Sequence, residues 1–494
     1  MPLFLRICKK MCTFARCMKK ICVFIIAVWC GWGILQADRY AKVSMLTENN
    51  LIRQANISVL VQDLGTGEVI DSFRANQVVP PASVMKLLAT GAALEILGPS
   101  FRFPTELCYS GEVKDGVLHG DLIIRGSCDP SLGNRKGTNA FLGRWVKAVQ
   151  QSGIRRIEGA VIADMSMLDG DAVNPAWLWE DAGNYYAPGI FGINYLSNTL
   201  NILLRSGAIG SVAEVIRTEP DYPGLKYNNH IRCTQTAYDG AFVHGLPYST
   251  ERYLTGSIPF NHGQFGVQSD IPNPGWLLAR HLSEQLERAG VAVAQEARFA
   301  GDKGPVLRDG RTIHTHLSDS LGVLIAEANQ YSSNLYAEAL FRYLGTQYGI
   351  PGTVHNSCEL LRDFWRRHGV DVRGALIKDG CGLAPQDAVS AASLVQLLSY
   401  MDKSRYRDVW NASLPVSGVS GTLKGFLAKT ALQGRVHAKS GTIGGTKNFA
   451  GYIDFPDGRR WAFAVLVNSA PCKARQIQPI IEKYLLEIYQ QGLQ

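Results

Sequence analysis

Ser83 and Lys86 lie three residues apart in the stretch "VVPPASVMKLLAT", residues 78–90. On a helix, side chains at this spacing have Cβ atoms about 5–6 Å apart, so the lysine amine can reach the serine hydroxyl. An alcohol attacks a carbonyl once a base takes its proton, and a lysine is such a base when its pKa is lowered by burial or by a nearby cation. The pair therefore predicts a nucleophile with its base. The alternative is a serine helix cap followed by an ordinary lysine.

A second group of polar residues, Ser332 and Asn334, lies in "YSSNLYAE". A hydroxyl near the nucleophile can relay a proton to a leaving group, and a carboxamide can hold both a lysine amine and a substrate amide. The alternative is structural, because serine and asparagine favour helix N-caps and the helical pattern "NLYAEALFRYLG" follows directly.

The third group lies in "HAKSGTIGG" and comprises Lys439, Ser440, Gly441 and Thr442. The alternation of apolar residues just before it predicts a strand from which Lys439 projects. A cation there can receive a substrate carboxylate and lower the pKa of Lys86. Gly441 permits the close approach of a substrate backbone. The alternative is an edge-strand lysine beside a glycine turn.

Predicted elements at both ends of the chain must position these motifs. "NISVLVQDLGTGEVIDSF" predicts a hairpin near the start, and "RVHAKSGT", "NFAGYIDF" and "RRWAFAVLVNS" predict strands near the end. Helical patterns dominate from about residue 309, and "IQPIIEKYLLEIYQQ" predicts a final amphipathic helix. One antiparallel sheet built from both termini, with helices on its faces, gives an α/β fold. Residues 105–308 hold short strand-like runs and many glycines and prolines, so we expect inserted material that folds separately.

The order S-x-x-K, S-x-N, K-[ST]-G is typical of active-site serine penicillin-recognising enzymes. From about residue 50 to the end, the chain resembles the class C low-molecular-mass penicillin-binding proteins, the D-alanyl-D-alanine carboxypeptidase/endopeptidase family. The stretches that carry the resemblance are "PASVMKLLAT", "GDLIIRGSCDPSL", "WLWEDAGNYYA", "YSSNLYAEAL", "DGCGLAPQDAVS", "LPVSGVSGTLKGF" and "VHAKSGTIGGTKNFAGYI".

The resemblance implies a penicillin-recognising serine transpeptidase-like (β-lactamase-like) domain with a large nested two-domain insertion. The implied division of the chain is a leader at 1–37, the transpeptidase-like domain at 38–105 and 309–494, insertion domain II at 106–180 and 270–308, and insertion domain III at 181–269.

The resemblance also implies a role for each motif residue. Ser83 would be acylated by the penultimate D-alanine with Lys86 as its base, and Ser332 and Asn334 would assist proton transfer and hold the peptide. Lys439, with Ser440 beside it, would bind the terminal carboxylate. The N–H groups of Ser83 and Thr442 would form the oxyanion hole, to which one donor typically contributes about 10²–10³ in rate. Peptidoglycan stem peptides are the implied substrates and β-lactams the implied inhibitors, with no cofactor and no metal.

Three positions depart from the family pattern. Ser440 replaces the usual threonine and Ser333 replaces a common aspartate, and neither change removes a required group. Pro385 stands where relatives often carry an arginine that helps bind the far end of the stem-peptide side chain. Asp181 matches the acidic partner of that side chain, so the recognition of a diaminopimelate-type end is open.

The N-terminus predicts export. Residues 1–20 carry six cations and no acid, and an uncharged apolar run extends from Ile21 to Leu35. This pattern indicates a signal peptide cut after Ala37, with an uncleaved membrane anchor as the alternative. We expect a periplasmic or cell-envelope protein. The leader supplies six of the eight net positive charges, leaving +2, which gives no basis for nucleic-acid binding.

The six cysteines that follow the leader form no CxxC pair, which argues against a zinc site. Disulfides and free buried thiols both remain open, as does the oligomeric state. Rival functions are a β-lactamase, a non-catalytic cell-wall-binding protein of the same fold, and a transpeptidase. A class A β-lactamase needs a glutamate in an E-x-x-x-N element, and Glu180…Asn184 fits that bare pattern only within a stretch that already belongs to the resemblance.

Overall fold

The computed structural model describes residues 42–133, 140–168, 172–301, 310–347 and 352–494. The leader predicted for residues 1–37 lies outside these residues. Within the described ranges, no helix combines the length and the apolar character that a bilayer crossing requires. The six cysteines of the same ranges are free thiols, and five of them are buried.

The central sheet is built from both ends of the chain, as the sequence predicts. All neighbouring strands are antiparallel, and Asn56 pairs with Asn468 while Asp63 pairs with Trp461. The five strands, in spatial order, are Val69–Phe73, Asn56–Asp63, Arg460–Asn468, Thr446–Asp454 and Val436–Ile443. The third catalytic motif therefore lies on an edge strand of this sheet.

The strand Arg460–Asn468 shows why both faces of the sheet are covered. Successive side chains of a strand point to opposite faces. Ala462, Ala464 and Leu466 are buried in one core, whereas Phe463, Val465 and Val467 are buried in a second core. A strand that is apolar on both faces must lie between two layers, so the α/β sandwich predicted from the sequence is confirmed.

Helices fill both outer layers. The layer that holds the first two catalytic motifs consists of Lys86–Leu97, Leu321–Gln330, Asn334–Leu344, Val354–Arg367, Ala391–Asp402 and Arg407–Ser413. The opposite layer consists of Ser44–Thr47 and Ala474–Gly492. Short 3-10 turns occur at Ala82–Met85, Leu196–Asn198 and Gly421–Leu423, and the two-residue strands Val78–Val79 and Val389–Ser390 pair with each other.

The inserted region forms separate sheets around its own apolar core. A five-stranded sheet has the order Arg298–Ala300, Val161–Asp164, Leu122–Arg125, Pro104–Tyr109 and Arg311–Leu317. A four-stranded sheet has the order Ala292–Val293, Arg156–Ile157, Val117–His119 and Glu112–Lys114. The helices Ala140–Gln151 and Pro274–Arg288 contribute to the same core. The chain enters the region through Pro104–Tyr109 and leaves it through Arg311–Leu317, and these two strands pair with each other in the first sheet. The predicted domain boundaries stay a prediction.

Two further sheets lie in the middle of the inserted region. One has the order Glu214–Glu219, Thr199–Arg205 and Phe265–Asp270. The other, which we call the mixed sheet, has the order Lys226–Asn229, Glu251–Pro259 and Arg232–Thr234, with Gly240–His244 also paired to Glu251–Pro259.

Candidate active site

Ser83 lies in a 3-10 turn, not in the α-helix that the sequence predicts. The turn covers Ala82–Met85, and the α-helix begins only at Lys86, with Met85 in the N-cap position. Ser83 therefore does not cap this helix, and the structural alternative for the first motif is wrong. The side chain of Ser83 is half-buried.

The backbone before Ser83 is strained and tightly held. Ala82 has φ +48, in the left-handed region that disfavours a side chain. Gly382 packs on it so closely that a Cβ there would lie 1.8 Å from the Ala82 carbonyl oxygen. Asn448 Nδ2 donates to the carbonyl oxygens of Pro80 and Pro81 at 2.9 and 3.1 Å. These contacts fix the position of the nucleophile.

The fully buried amine of Lys86 contacts three acceptors. Its Nζ lies 3.1 Å from Ser83 Oγ, 2.6 Å from Asn334 Oδ1 and 2.7 Å from the carbonyl oxygen of Cys381. The amide and carbonyl oxygens can only accept hydrogen bonds, so they take the two N–H bonds of an uncharged amine. The lone pair is then left for the Ser83 hydroxyl. The three acceptors match the three N–H donors of an ammonium, and they equally match a neutral amine that donates twice and accepts from the Ser83 hydroxyl.

Asn334 is held in one orientation by its second contact. Its Nδ2 donates to the carbonyl oxygen of Tyr186 at 2.7 Å. Because that carbonyl can only accept, Oδ1 must face Lys86. Tyr186 belongs to the inserted region, so the insertion supplies part of the site's hydrogen bonding.

The second motif divides its roles between neighbours. Ser333 caps the helix Asn334–Leu344, since its side chain accepts from the N–H of Tyr336. The alternative interpretation of this motif is a helix N-cap. Ser333, to which the sequence assigns no chemistry, fills that role. Ser332 has φ +58, and its hydroxyl accepts a hydrogen bond from Lys439 Nζ at 2.9 Å.

Lys439 lies on the strand Val436–Ile443, as predicted, and is fully buried. Besides Ser332 Oγ, its amine bonds the carbonyl oxygen of Ser440 at 2.7 Å. Ser440 Oγ donates to Thr422 Oγ1 at 2.9 Å. Ser440, which stands where the family usually has threonine, thus uses its hydroxyl in a hydrogen bond to Thr422.

Gly441 brings this strand against the nucleophile turn. A Cβ at this position would lie 2.6 Å from the Pro81 carbonyl oxygen and 3.2 Å from the backbone nitrogen of Ser83. Any side chain would push the two segments apart. The need for glycine here is therefore a packing requirement between the first and third motifs.

Burial lowers the pKa of both lysine amines. For Lys86, burial outweighs the opposing effect of Cys381 and the nearby acids. For Lys439, burial and then the charge of Lys86 place the pKa well below its usual value. Two buried amines that repel each other do not both hold a proton readily. The cleft therefore favours a state with one neutral amine.

Thr442 and Asp181 lie further out. Thr442 is at the exposed end of its strand, where Oγ1 accepts from Lys447 Nζ at 3.0 Å. Asp181 Oδ1 accepts from the hydroxyl of Tyr186 at 3.0 Å, and burial raises its pKa. Asp181 is connected to the motif residues through Tyr186 and Asn334. Its contact with a substrate stays a prediction.

A buried loop to which the sequence gave no role presents the third acceptor to Lys86. Asp379 accepts from the backbone N–H groups of four of the next five residues at 2.6–3.0 Å, and from the indole of Trp177 at 2.9 Å. The carboxylate thereby holds the loop in the conformation that aims the Cys381 carbonyl at Lys86. The signal was present in "DGCGL", where an aspartate precedes a glycine-rich turn.

Two further acids, Glu338 and Asp387, adjoin Asp379. Burial raises the pKa of Glu338 to about 8 and that of Asp387 well above its usual value. Burial also acts on Asp379, but its hydrogen bonds from Asp387 and the backbone outweigh it, so its pKa is lowered. The directions of these three pKa shifts place the negative charge of the cluster preferentially on Asp379.

The oxygen and sulfur atoms of Glu338, Asp379 and Cys381 lie within 4.8 Å of one another. Such spacing could suit a metal ion. The two oxygens of Glu338, however, accept from Asn174 Nδ2 at 3.1 Å and the Gly380 N–H at 2.7 Å. Both oxygens of Asp379 accept hydrogen bonds from the N–H groups of the loop, so a hydrogen-bonded cluster describes the group better than a metal site.

Asp379→Asn is expected to lower the free energy of unfolding by about 3 kcal/mol, because an amide N–H₂ would face backbone N–H donors in a buried setting. It should also slow the acylation of Ser83, because the Cys381 carbonyl would lose its fixed direction. Denaturant unfolding and the rate of covalent penicillin labelling measure the two effects.

Asp387→Asn is the matched control for Asp379→Asn. The raised pKa of Asp387 favours its protonated form, so an asparagine keeps a donor towards Asp379 and should cost much less. Equal losses in the two variants would contradict the assignment of the charge to Asp379.

The sequence of this chain matches a known protein family. The model of the D-Ala-D-Ala carboxypeptidase 3 (S13) family matches residues 40–485. The chain belongs to this family.

Two relatives of this S13 protein carry the same activity in their names. A D-alanyl-D-alanine carboxypeptidase from Actinomadura sp. (strain R39) is 28% identical over 440 residues, which cover 86% of this chain and 80% of the relative. The D-alanyl-D-alanine carboxypeptidase DacB from Haemophilus influenzae is 23% identical over 436 residues, with coverages of 86% and 88%. The S13 protein is thus a hydrolase of the D-Ala-D-Ala carboxypeptidase type, as the sequence predicts.

The fold of the S13 protein also matches solved structures. The crystal structure of penicillin binding protein 4 (dacB) from H. influenzae superimposes with a TM-score of 0.77 at 21% identity, covering 91% of this chain and 98% of that one. A predatory peptidoglycan endopeptidase from Bdellovibrio bacteriovorus gives a TM-score of 0.51 at 15% identity, covering 88% and 93%. The predicted penicillin-recognising fold is confirmed.

Proposed function

We propose that this S13 protein acts on peptidoglycan stem peptides as a serine-type D-alanyl-D-alanine carboxypeptidase, endopeptidase or both, through an acyl-enzyme on Ser83. The observation that carries the proposal is the contact set of one buried amine. Lys86 Nζ meets the Ser83 hydroxyl while two acceptors that cannot donate hold its N–H bonds. A neutral amine in this setting is a base for one hydroxyl only.

In the proposed acylation step, the Ser83 hydroxyl gives its proton to Lys86 as Oγ bonds to the carbonyl carbon of the penultimate D-alanine. The C–N bond to the terminal residue then breaks, and the leaving amine takes a proton that Ser332 can relay from the two lysines. Water later attacks the ester and releases the shortened peptide. The Ser332 hydroxyl is suited to the relay because it is bonded to Lys439 at 2.9 Å.

Lys439 would receive the terminal carboxylate of the substrate. An anion beside this buried amine raises its pKa again and favours the charged form. The restored charge would in turn keep the pKa of Lys86 low, so substrate binding would prepare the base. The backbone N–H groups of Ser83 and Thr442 are the proposed oxyanion hole, a role supported by the direct approach of the strand at Gly441.

Asp181 is proposed to face the side chain of the third stem-peptide residue. The support is its half-buried carboxylate beside the cleft, held by Tyr186. Pro385 is exposed and adds no charge where relatives often carry an arginine. Without that arginine, we expect weaker selection for a carboxylate at the far end of the side chain.

We also propose that β-lactams inhibit this chain by acylating Ser83, and that the protein is exported to the periplasm or cell envelope. The first proposal is supported by a structural neighbour, penicillin binding protein 4 of H. influenzae, solved in complex with a β-lactam. The second is supported by the basic and apolar leader of the sequence and by the location of the proposed substrate outside the cytoplasmic membrane.

Two measurements on the purified protein test the proposed function. One is the release of D-alanine from a soluble stem pentapeptide, followed with a D-amino-acid oxidase assay. The other is the mass of the intact protein after benzylpenicillin, with peptide mapping of the adduct. We expect turnover, a stable adduct of one penicillin per chain, and the adduct on the peptide that contains Ser83.

Other outcomes would overturn the proposal in distinct ways. Fast hydrolysis of benzylpenicillin without a lasting adduct would favour a β-lactamase. Neither adduct nor turnover in a folded protein would favour a non-catalytic wall-binding protein. Transfer of the acyl group to an added amine in preference to water would favour a transpeptidase.

The rate of acylation by benzylpenicillin is expected to rise with pH and then level off. A protonated Lys86 cannot accept the serine proton, and burial lowers its pKa from the usual 10.5, so the midpoint should lie clearly below that value. Time-resolved adduct formation over a pH series measures the profile, with circular dichroism confirming the fold at each pH. A rate that falls steadily as pH rises would contradict a lysine base.

A further inference from the structure

An open groove lies on the mixed sheet of the inserted region, outside the cleft described above. Its volume is about 440 Å³. The lining includes Trp179, Lys226, Asn228, His244 and Tyr253. None of these residues takes part in the proposed acyl transfer.

Planar side chains form a row across this groove. Asn228 and His244 both pair with Tyr253 from the strands on either side of it. Directly paired residues project on the same face of a sheet. The rings of His244 and Tyr253 lie 6.2 Å apart, and Trp179 stacks on His244 at 6.4 Å with planes 17° apart.

Two aromatic members of the row, Trp179 and Tyr253, are exposed. Trp179 is 63% exposed and Tyr253 is 44% exposed. Of the nine exposed Phe, Trp and Tyr residues within the described ranges, eight lie between residues 179 and 299. Trp179 and Tyr253 are the two of these that line the groove, and exposed aromatic side chains in a groove are typical of a binding surface.

The charges in the groove indicate a neutral ligand. Lys226 and Glu251 are both exposed and occupy paired positions on neighbouring strands, so the positive charge of one compensates the negative charge of the other. Arg252 is buried and bonded to Asp270 at 3.1 Å. A groove without net charge does not favour a polyanion such as a nucleic acid.

The groove and the catalytic cleft share one loop. Ala182 accepts from the N–H of Gly245 at 3.1 Å on the groove side, and Tyr186 accepts from Asn334 at 2.7 Å on the cleft side. Gly183, at φ +101, lets the loop pack so closely that a Cβ there would lie 2.5 Å from the Gly245 nitrogen. A ligand in the groove would therefore lie at a fixed position relative to the nucleophile.

We propose that this groove binds the glycan chain of peptidoglycan, a neutral polymer of N-acetylated amino sugars, while a stem peptide enters the cleft. The inference rests on the proposed function, which brings such a polymer to the protein. The polarised C–H groups of a pyranose face stack on the negative face of an aromatic ring, as Trp179 and Tyr253 offer. Asn228, Lys226 and Ser249 supply polar groups for hydroxyls and N-acetyl amides.

The test uses chitohexaose, a soluble chain of N-acetylglucosamine, and isothermal titration calorimetry with the whole protein. Trp179→Ala and Tyr253→Ala should each weaken binding about tenfold or more. Tyr238→Ala is the matched control, since Tyr238 is 73% exposed in the same region but does not line the groove. The control should bind like the wild type. A second readout is the ratio of kcat/KM for a glycan-linked stem peptide to that for the free peptide, which should fall in the groove variants.

The proposal is overturned if the wild type does not bind chitohexaose, or if the groove variants bind it as well as Tyr238→Ala does. It is also overturned if the groove variants lose affinity only for a stem peptide without glycan, which would make the groove a peptide site. Sugar binding needs no turnover, so a protein that binds chitohexaose through the groove yet forms no penicillin adduct would contradict the proposed function alone.

Discussion

Ser83→Ala is expected to abolish the penicillin adduct and to lower the release of D-alanine by at least about 10⁴-fold, the scale seen when a catalytic nucleophile is removed. In the proposed mechanism the hydroxyl of Ser83 is the one atom acylated, and neighbouring hydroxyls have other partners. Ser332 is bonded to Lys439, and Ser440 is bonded to Thr422. Neither is placed to replace the nucleophile on Lys86.

The fold should survive this change. The side chain of Ser83 is half-buried and bonds Lys86, and alanine fits the same turn. Ser333→Ala is the matched control, since it removes a cap of about 1 kcal/mol from a neighbouring segment without touching the amines. Intact-protein mass spectrometry after benzylpenicillin compares the three proteins. An adduct on Ser83→Ala, or loss of the adduct in a folded Ser333→Ala, would contradict the assignment.

The parts of the fold that could be predicted from the sequence are those with a continuous apolar run or with apolar residues at helical spacing. The strands Arg460–Asn468 and Thr446–Asp454 are apolar on both faces because they lie between two layers, and the helix Ala474–Gly492 shows a clear apolar stripe. The grouping of the three motifs could be predicted from their order and spacing, and the structure brings Lys86 into contact with Ser83 and Asn334. The roles of these residues in catalysis stay a prediction.

The parts that could not be predicted depend on the backbone. The carbonyl oxygens of Cys381 and Tyr186 complete the contacts of Lys86 and Asn334, and any residue type provides a carbonyl. The 3-10 turn at Ser83 and the positive φ of Ala82 and Ser332 arise from contacts between distant segments, which local spacing does not encode.

Sequence spacing also left the role of the acid cluster open. Asp379 was visible as one of many aspartates, and its function depends on four N–H groups that converge only when the loop folds. Likewise, the aromatic row of the groove joins Trp179 to Tyr253 across more than seventy positions of sequence. Such juxtapositions require the tertiary structure.

Lys86→Met is expected to slow the acylation of Ser83 by about 10³-fold or more, within the range attributed to general base catalysis. Methionine has a similar length and no charge, so it fills the buried space of the Lys86 side chain without accepting a proton. The change leaves Asn334 Oδ1 and the Cys381 carbonyl without a donor, and each unsatisfied group costs about 1–3 kcal/mol. Part of that cost is offset because a buried amine is also removed. A modest net loss of stability should therefore accompany a large loss of rate.

Lys86→Arg tests whether Lys86 acts by accepting a proton or through its positive charge. A guanidinium keeps the positive charge and the hydrogen-bond donors, but it does not release a proton at accessible pH. If Lys86 is the base, both variants should lose acylation to a similar extent, and neither should show the rise of rate with pH that we expect of the wild type. The measurements are the second-order rate of penicillin labelling over a pH series and the melting temperature of each variant. If Lys86→Arg retained most of the wild-type rate, the lysine would act through its charge, and the proposed role of a neutral Lys86 as base would be wrong.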